Sequence, residues 1–367
     1  MRIHASFLLP ALLCLLQSAR VIAWGVAGHQ IVATIAQIHL LPSVREQLCD
    51  ILPYNARCHL APYAAWADSI KRQPQWRWTS SLHYVNGIGD YPAEHCVFGE
   101  KGWSSEKNLL TALVNVTYET QQYGGSRQDI AIRFLTHYLG DLHMPMHLSG
   151  RDRGGNDDHV KFEGRMTNLH TVWDTLLITQ SIRTLSNYTR PTSSKRIESA
   201  LRGSIYDAYV RWIVVEGIRG WWANDWLAWP SCPEGGDLDP ALLVPRNMDE
   251  DSVDFPIHPD VSQGQAILGA GPQPPIDPPS LPICPQSWAT ALHPLNCKYV
   301  WPPHYDTRGK PPELDTPAYL GPIRDQHVVE RLLAMAGVRL AAVLNSLLGD
   351  EGEKSALGHG LDGLVWE

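Results

Sequence analysis

Eight side chains carry the types and spacing that bind metal ions: His29, Asp68, His83, His137, Asp141, His147, His170 and Asp174. All are imidazoles or carboxylates, the nitrogen and oxygen donors zinc takes when thiolates are committed elsewhere. His137 and Asp141 stand four apart, which on a helix sets both on one face, one turn apart. His170 and Asp174 repeat that spacing. Pro145 must end the helix carrying the first pair, and the turn it makes can swing His147 back toward them. A lone His-x-x-x-Asp is more often a solvated surface pair than a site. Here several coincide, and Asp68, His83 and the backbone amine and carbonyl of Trp24 add to them, enough ligands for several ions.

Trp24 offers an amine only if the chain is cut before it. Residues 1–23 set Arg2 and Arg20 around an apolar run, Phe7 to Leu16, too short to span a bilayer. They end in Val21-Ile22-Ala23, with the small residue that signal peptidase requires. We therefore read 1–23 as a signal peptide removed after Ala23, and the protein as secreted. No later stretch reads as a membrane span. Losing two arginines takes the formal charge from −8 to −10, the wrong sign for a protein that holds nucleic acid by basic patches. A polyanionic substrate would have to be met by metal ions.

Seven cysteines become six when Cys14 leaves with the leader, a number suited to three disulfides. Cys49 with Cys58 and Cys284 with Cys297 are near enough in sequence to close local loops. Cys96 then remains for Cys232, although sequence alone does not settle the connectivity. Asn115-Val-Thr117 and Asn187-Tyr-Thr189 are glycosylation sequons, meaningful on the same secretory route.

The elements that must position these groups are mainly α-helical. Apolar residues recur at helical spacing over 26–40, 60–72, 106–123, 128–141, 169–185, 195–218 and 323–348. Strand alternation is scarce, and a hairpin around His159–Phe162 is its best candidate. Between 230 and 322 proline and glycine cluster. We expect a single catalytic domain over 24–367, with an irregular Pro/Gly-rich insertion at about 232–320 lacking a core of its own.

Several of these segments resemble one family. Trp24-Gly-Val-Ala-Gly-His29, Trp66-Ala-Asp68, His83-Tyr-Val-Asn86 and His137-Tyr-Leu-Gly-Asp141-Leu-His-Met-Pro-Met-His147 are similar to the S1/P1 nucleases. So are Gly154-Gly155-Asn156, Asn168-Leu-His170-Thr-Val-Trp-Asp174 and Ala336-Gly-Val-Arg-Leu-Ala-Ala-Val-Leu-Asn345. The resemblance covers about 24–230 and 320–347 and leaves the Pro-rich insertion outside.

It implies a helical, disulfide-stapled domain with three zinc ions at the bottom of a cleft. One zinc would take Asp68, His83, His137 and Asp141, and a second His147, His170 and Asp174. The third would take His29 with the amine and carbonyl of Trp24, bridged to the first by Asp141. It also implies cleavage of single-stranded DNA and RNA to 5′-phosphorylated products, 3′-nucleotidase activity, and zinc-bound water as nucleophile. Asp68 would assist that water, as would Asp90 if the loop after His83 is shifted. Asn156 is the candidate for touching the bound nucleotide. Lys71 is a candidate for phosphate and Tyr84 for a base, each with an ordinary structural role as the rival reading. The resemblance calls for no stable protein partner and no membrane.

Two positions depart from the family pattern. Asn86 stands where an acidic residue is common, and Trp222-Ala-Asn-Asp225-Trp226 replaces Trp-Ala-x-Glu-Ser. Neither touches a zinc ligand. His143, between ligand positions, points off the His137–Asp141 face and reads as a hydrogen-bonding support. The alternative function is a zinc phospholipase C, which shares an N-terminal Trp and a similar site. A third reading, a non-catalytic zinc-stapled glycoprotein, would require a lost ligand, and none is lost.

Overall fold

The computed structural model describes residues 24–201, 206–232, 281–302 and 309–356. Residues 1–23, 202–205, 233–280, 303–308 and 357–367 lie outside the described residues. What is described is mainly α.

Helix α1 (Val26–His39) is buried on almost every face, including the polar His29, Thr34, Gln37 and His39, because it lies in the middle of the molecule with other elements packed around it. Each of Ile31, Val32 and Ile35, fully removed from water, contributes about 1.5–3 kcal/mol. Helix α2 (Pro42–Ile51) follows at once. Pro42 ends the first periodic stretch as expected, but by opening a second helix at N1, one the periodicity did not show. Helix α3 (Trp66–Ile70) is what remains of the helix expected over 60–72; Pro62 turns the first part into a 3-10 turn, Ala61–Tyr63.

Helices α4 (Leu109–Gln122) and α5 (Gly125–Leu142) pack against each other. Asn108 caps α4, accepting from Leu110 N at 2.9 Å and Thr111 N at 3.3 Å, while Thr111 Oγ1 accepts from Asn108 N.

The expected hairpin is present: β1 (His159–Phe162) pairs antiparallel with β2 (Arg165–Asn168), joined through Glu163 and Gly164, both at positive φ. Asn168 then caps a helical run by accepting from Thr171 N at 2.7 Å. That run is not uniform: Leu169–Thr171 passes through a π-helical segment, Val172–Leu176, into α6 (Leu177–Thr184). The helix expected over 195–218 divides into α7 (Lys195–Leu201), α8 (Asp207–Trp212) and a π segment, Ile213–Trp221.

The Pro-rich insertion needs correction where it is described. Residues 285–292 form helix α9 (Pro285–Leu292), followed by a π turn, Asn296–Val300. Ile283, Trp288, Val300 and Trp301 are buried in the main core. Tryptophan and aliphatic side chains override the Pro-rich composition here. The expected last helix is two, α10 (Pro317–Asp325) and α11 (Val328–Leu348), broken where His327 takes φ 47°. Together Pro317–Leu348 are long and apolar enough to cross a membrane, against the expectation that no later stretch is; 78% of that apolar window is buried inside the protein, so it serves as core.

Helix α11 lies against α1 so tightly that a Cβ on Gly337 would sit 2.6 Å from Ile35 Cβ. Its Asn345 bonds both sides of the α1–α2 junction, donating to His39 O and accepting from Leu41 N, each at 2.9 Å.

Disulfides correct the expected pairing. Cys49–Cys58 forms as expected, but the others are Cys96–Cys297 and Cys232–Cys284. Helix α9 separates Cys284 from Cys297. Cys284 lies beside Ser231, whose carbonyl accepts from Trp288 Nε1, and so meets Cys232. Cys297, beyond the helix, reaches the loop that carries Cys96.

Candidate metal centre

Helix α5 supplies His137 and Asp141 from one face, as their spacing requires. His137 Nδ1 bonds Ala64 O at 2.8 Å, which turns Nε2 toward Asp141 Oδ2 at 3.3 Å and Asp68 Oδ1 at 3.6 Å. His83 ends a 3-10 stretch, Pro74–His83, and sets its Nδ1 2.9 Å from Asp141 Oδ2. His29, near the start of α1, stacks on His137 with ring centroids 3.8 Å apart. Only a glycine at 140 permits this, since a Cβ there would lie 2.6 Å from His29 Nδ1.

Behind the Pro145 turn, His147 comes back as expected, its Nδ1 3.4 Å from Asp141 Oδ1, its ring facing that of His170. His170 Nδ1 bonds Gly154 O at 2.7 Å, leaving the other ring nitrogen for a ligand. Asp174 lies in the π segment, a helical defect common at functional positions. Trp24 is fully buried, and the next residue donates from Gly25 N to Asp174 O at 2.8 Å, so the candidate amine lies beside this carboxylate's backbone.

The side chains fall into three groups: His29, His137 and Asp141; Asp68, His83 and His137; His147, His170 and Asp174. Within each, one ligand atom per residue lies within 4.8 Å of the others. Their unmet bonding fits metal binding. Both ring nitrogens of His29, Asp68 Oδ2, His83 Nε2, Asp141 Oδ1, His147 Nδ1 and Asp174 Oδ1 are buried without a hydrogen-bond partner. Buried polar atoms are otherwise almost always paired, and the donor set is one that zinc accepts.

Electrostatics agree. Burial lowers His29 and His83 to about 4 and His170 to about 3, so these rings are neutral, as a ligand must be. His137 differs: burial alone would lower it too, but the Asp141 and Asp68 carboxylates outweigh it and raise the ring to about 10, so without an ion this ring carries a proton that a bound cation would have to displace. Burial, helped by Asp68 and Asp141, pushes Asp174 well above the usual carboxylate range. Three buried carboxylates with few cations near them call for positive charge.

The other candidates take varied places. Lys71 Nζ lies 2.5 Å from Asp68 Oδ1, mostly buried. Tyr84 is 43% exposed on the extended stretch after His83. Asn156 follows a strained turn, Asp152–Gly155, in which four successive residues take φ of 46°, 55°, 63° and 75°; its Nδ2 donates to Arg153 O, and Oδ1 has no partner. Asp90 is not in the groups. Ser149 Oγ and Val97 N donate to its carboxylate, and His293 Nε2 lies 3.0 Å away. Fully engaged, it is a strut and not a free base. His143 also stays outside, between Leu139 O and the Arg339 guanidinium. Trp222 is core, whereas Trp221 is exposed and stacks on His327.

Sequence reasoning missed the supports: Gly140, the Ala64 and Gly154 carbonyls, and Ser149. Gly140 was legible only as the glycine between Leu139 and Asp141, and a backbone carbonyl carries no sequence signal.

Residues 24–225, which hold all nine candidate ligand positions, match the S1/P1 Nuclease family model. The chain belongs to the S1/P1 nuclease family. Among its relatives, Endonuclease 3 of Arabidopsis thaliana is 31% identical over 221 residues, covering 58% of this chain and 68% of that protein. Nuclease P1 of Penicillium citrinum is 32% identical over 156 residues, 42% and 58% of the two chains. Nuclease S1 of Aspergillus oryzae is 32% identical over 153 residues, 41% and 53%. This S1/P1 family member is thus a nuclease, a hydrolase of phosphodiester bonds, and the relatives favour that reading over a phospholipase.

Proposed function

We propose that the protein is a secreted, zinc-dependent enzyme. It cuts single-stranded DNA and RNA to 5′-phosphorylated products and removes 3′-phosphates from nucleotides. The observation that carries this is the set of three buried His/Asp groups with orphaned ligand atoms, in a chain of the S1/P1 family. Leader removal after Ala23, three zinc ions and glycosylation at Asn115 and Asn187 belong to the same proposal.

Asp68, His83, His137 and Asp141 would hold one zinc, and His147, His170 and Asp174 a second. His29 with the amine and carbonyl of Trp24 would hold the third, with Asp141 shared. When bound, zinc supplies Lewis acidity toward phosphate oxygens and acidifies water.

The chain's own residues do the rest. Asn86, packed on Gly150, carries an amide that cannot accept a proton. That task falls to Asp68, whose Oδ2 is unpartnered. Lys71 balances the Asp68 charge and meets the phosphate. Tyr84 offers an exposed ring for a base, and the Asn156 side chain binds the nucleotide. A base seated by stacking must be unpaired, which is the physical reason for preferring single strands.

The test is nucleotide release from single-stranded and duplex DNA by the secreted, processed protein, with and without a zinc chelator. Chelator-sensitive release of 5′-phosphorylated products from the single strand is expected. No release from a protein carrying its full zinc complement would overturn the proposal, and hydrolysis of phosphatidylcholine micelles would then favour the phospholipase reading.

A further inference from the structure

The segment Asn296–Trp301 lies outside the family match and contributes no ligand. It nonetheless reaches, by hydrogen bond or packing, a chain neighbour or support of each member of one ligand group. Asn296 Nδ2 donates to Pro145 O at 2.8 Å, the residue that opens the turn carrying His147. Trp301 Nε1 donates to Asp158 Oδ2 at 2.9 Å. Its ring backs Gly155, where an added Cβ would lie 3.4 Å from Trp301 Cζ2. That pins the left-handed turn whose Gly154 carbonyl orients His170. Trp173, next to Asp174, donates from Nε1 to Tyr319 Oη at 2.8 Å, and Tyr319 Oη donates to Val300 O at 3.0 Å.

We propose that the Asn296–Trp301 turn is the positioning scaffold of the His147/His170/Asp174 metal site, and of that site selectively. The other two groups draw their supports from elsewhere. His137 leans on Ala64, His29 on the gap at Gly140, and His83 and Asp68 on α5. The turn itself is anchored: Trp301 N bonds Asn296 O at 2.8 Å, Asn296 and Trp301 are fully buried, and Cys297 is tied to Cys96. The run closes on its own backbone bonds, Gly155 N to Arg151 O at 2.9 Å and Asp157 N to Asp152 O at 3.0 Å, but holds Asp152 and Arg153 at positive φ, which costs a non-glycine residue about 1–2 kcal/mol. Its backing is shared between Met146, which lies nearest to Gly154 and Gly155, and the Trp301 indole beside it.

The inference rests on the zinc reading above, and its test separates the two. Secreted full-length wild type, Asn296→Ala, Tyr319→Phe and Trp301→Phe would be dialysed against graded chelator. Zinc per chain would be counted, and zinc positions located by anomalous scattering from crystals. Loss of an orienting group typically weakens a metal site about 10–100-fold. We expect the variants to give up one zinc at correspondingly lower chelator, with the peak among His147, His170 and Asp174 missing, the others retained and circular dichroism unchanged. Tyr319→Phe removes one hydroxyl and keeps the ring, so it reports even if Trp301→Phe fails to fold. Simultaneous loss from every position, loss from the His29 position first, or wild-type retention in the variants overturns the inference. Absence of zinc from wild type would instead overturn the metal-centre reading.

Discussion

Gly140→Ala separates the fold from the metal site. The added methyl would stand 2.6 Å from His29 Nδ1 and 2.9 Å from Cε1, roughly 1 Å inside an ordinary contact of about 3.5 Å. His29 cannot retreat freely, because its other face is stacked on His137. Overpacking of this kind costs about 1–3 kcal/mol, while replacing a glycine in a helix interior returns about 1 kcal/mol. The net change in stability of the metal-free protein is therefore about 0–2 kcal/mol destabilising, and it should still fold. The metal site has no such compensation: a ring displaced by about 1 Å cannot keep a Zn–N bond of about 2.0–2.1 Å. The assay is zinc content against chelator, with thermal melting in chelator and in zinc. Expected are a small change in chelator, a larger deficit in zinc, loss of one ion and a fall in nuclease rate. Full zinc content with wild-type chelator resistance would refute the reasoning.

Three further outcomes are expected. Asn86→Asp returns the acidic residue common at this position of the family, beside Gly150; with Asp68 already the proton acceptor, kcat on single-stranded DNA should change by much less than the roughly 10²–10⁴-fold that a missing base is worth, and a rise of that size would take the role away from Asp68. Burial holds His39 at about 4, below its ordinary 6.5, so the unfolded chain takes the proton first as pH falls. Its stabilisation is full above 6.5 and drains away toward 4, about 3 kcal/mol in all; His39→Gln should therefore show a shallower acid loss in urea midpoints than wild type, and equal slopes would refute it. A secreted variant that retains Ala23 turns the Trp24 amine into an amide; it should hold two zinc ions instead of three, and an unchanged count would remove Trp24 from the ligand set.

The helical character of the fold and the family were legible in the residues themselves, and so were the eight side chains that the fold gathers into three His/Asp groups. A four-residue spacing on a helix is local geometry, and a proline stops a helix wherever it falls. The orphaned nitrogens and oxygens then show why those residue types are buried together. Supports were not legible in the same way. The Ala64 and Gly154 carbonyls are backbone atoms with no side-chain signal, and a π segment differs from an α-helix by one hydrogen-bond register.

Long-range choices belonged to the tertiary structure alone. Sequence separation favoured Cys284 with Cys297, but a rigid helix between them sent each to a different partner. Composition read residues 281–302 as irregular, yet four large apolar side chains found space in the core and outweighed the prolines. Asp90 is a carboxylate of the right type near the right histidine, and only the approach of Ser149, Val97 and His293 decided that it braces the loop. Local spacing determined which groups can bind metal; packing of distant segments decided which of them are free to do so.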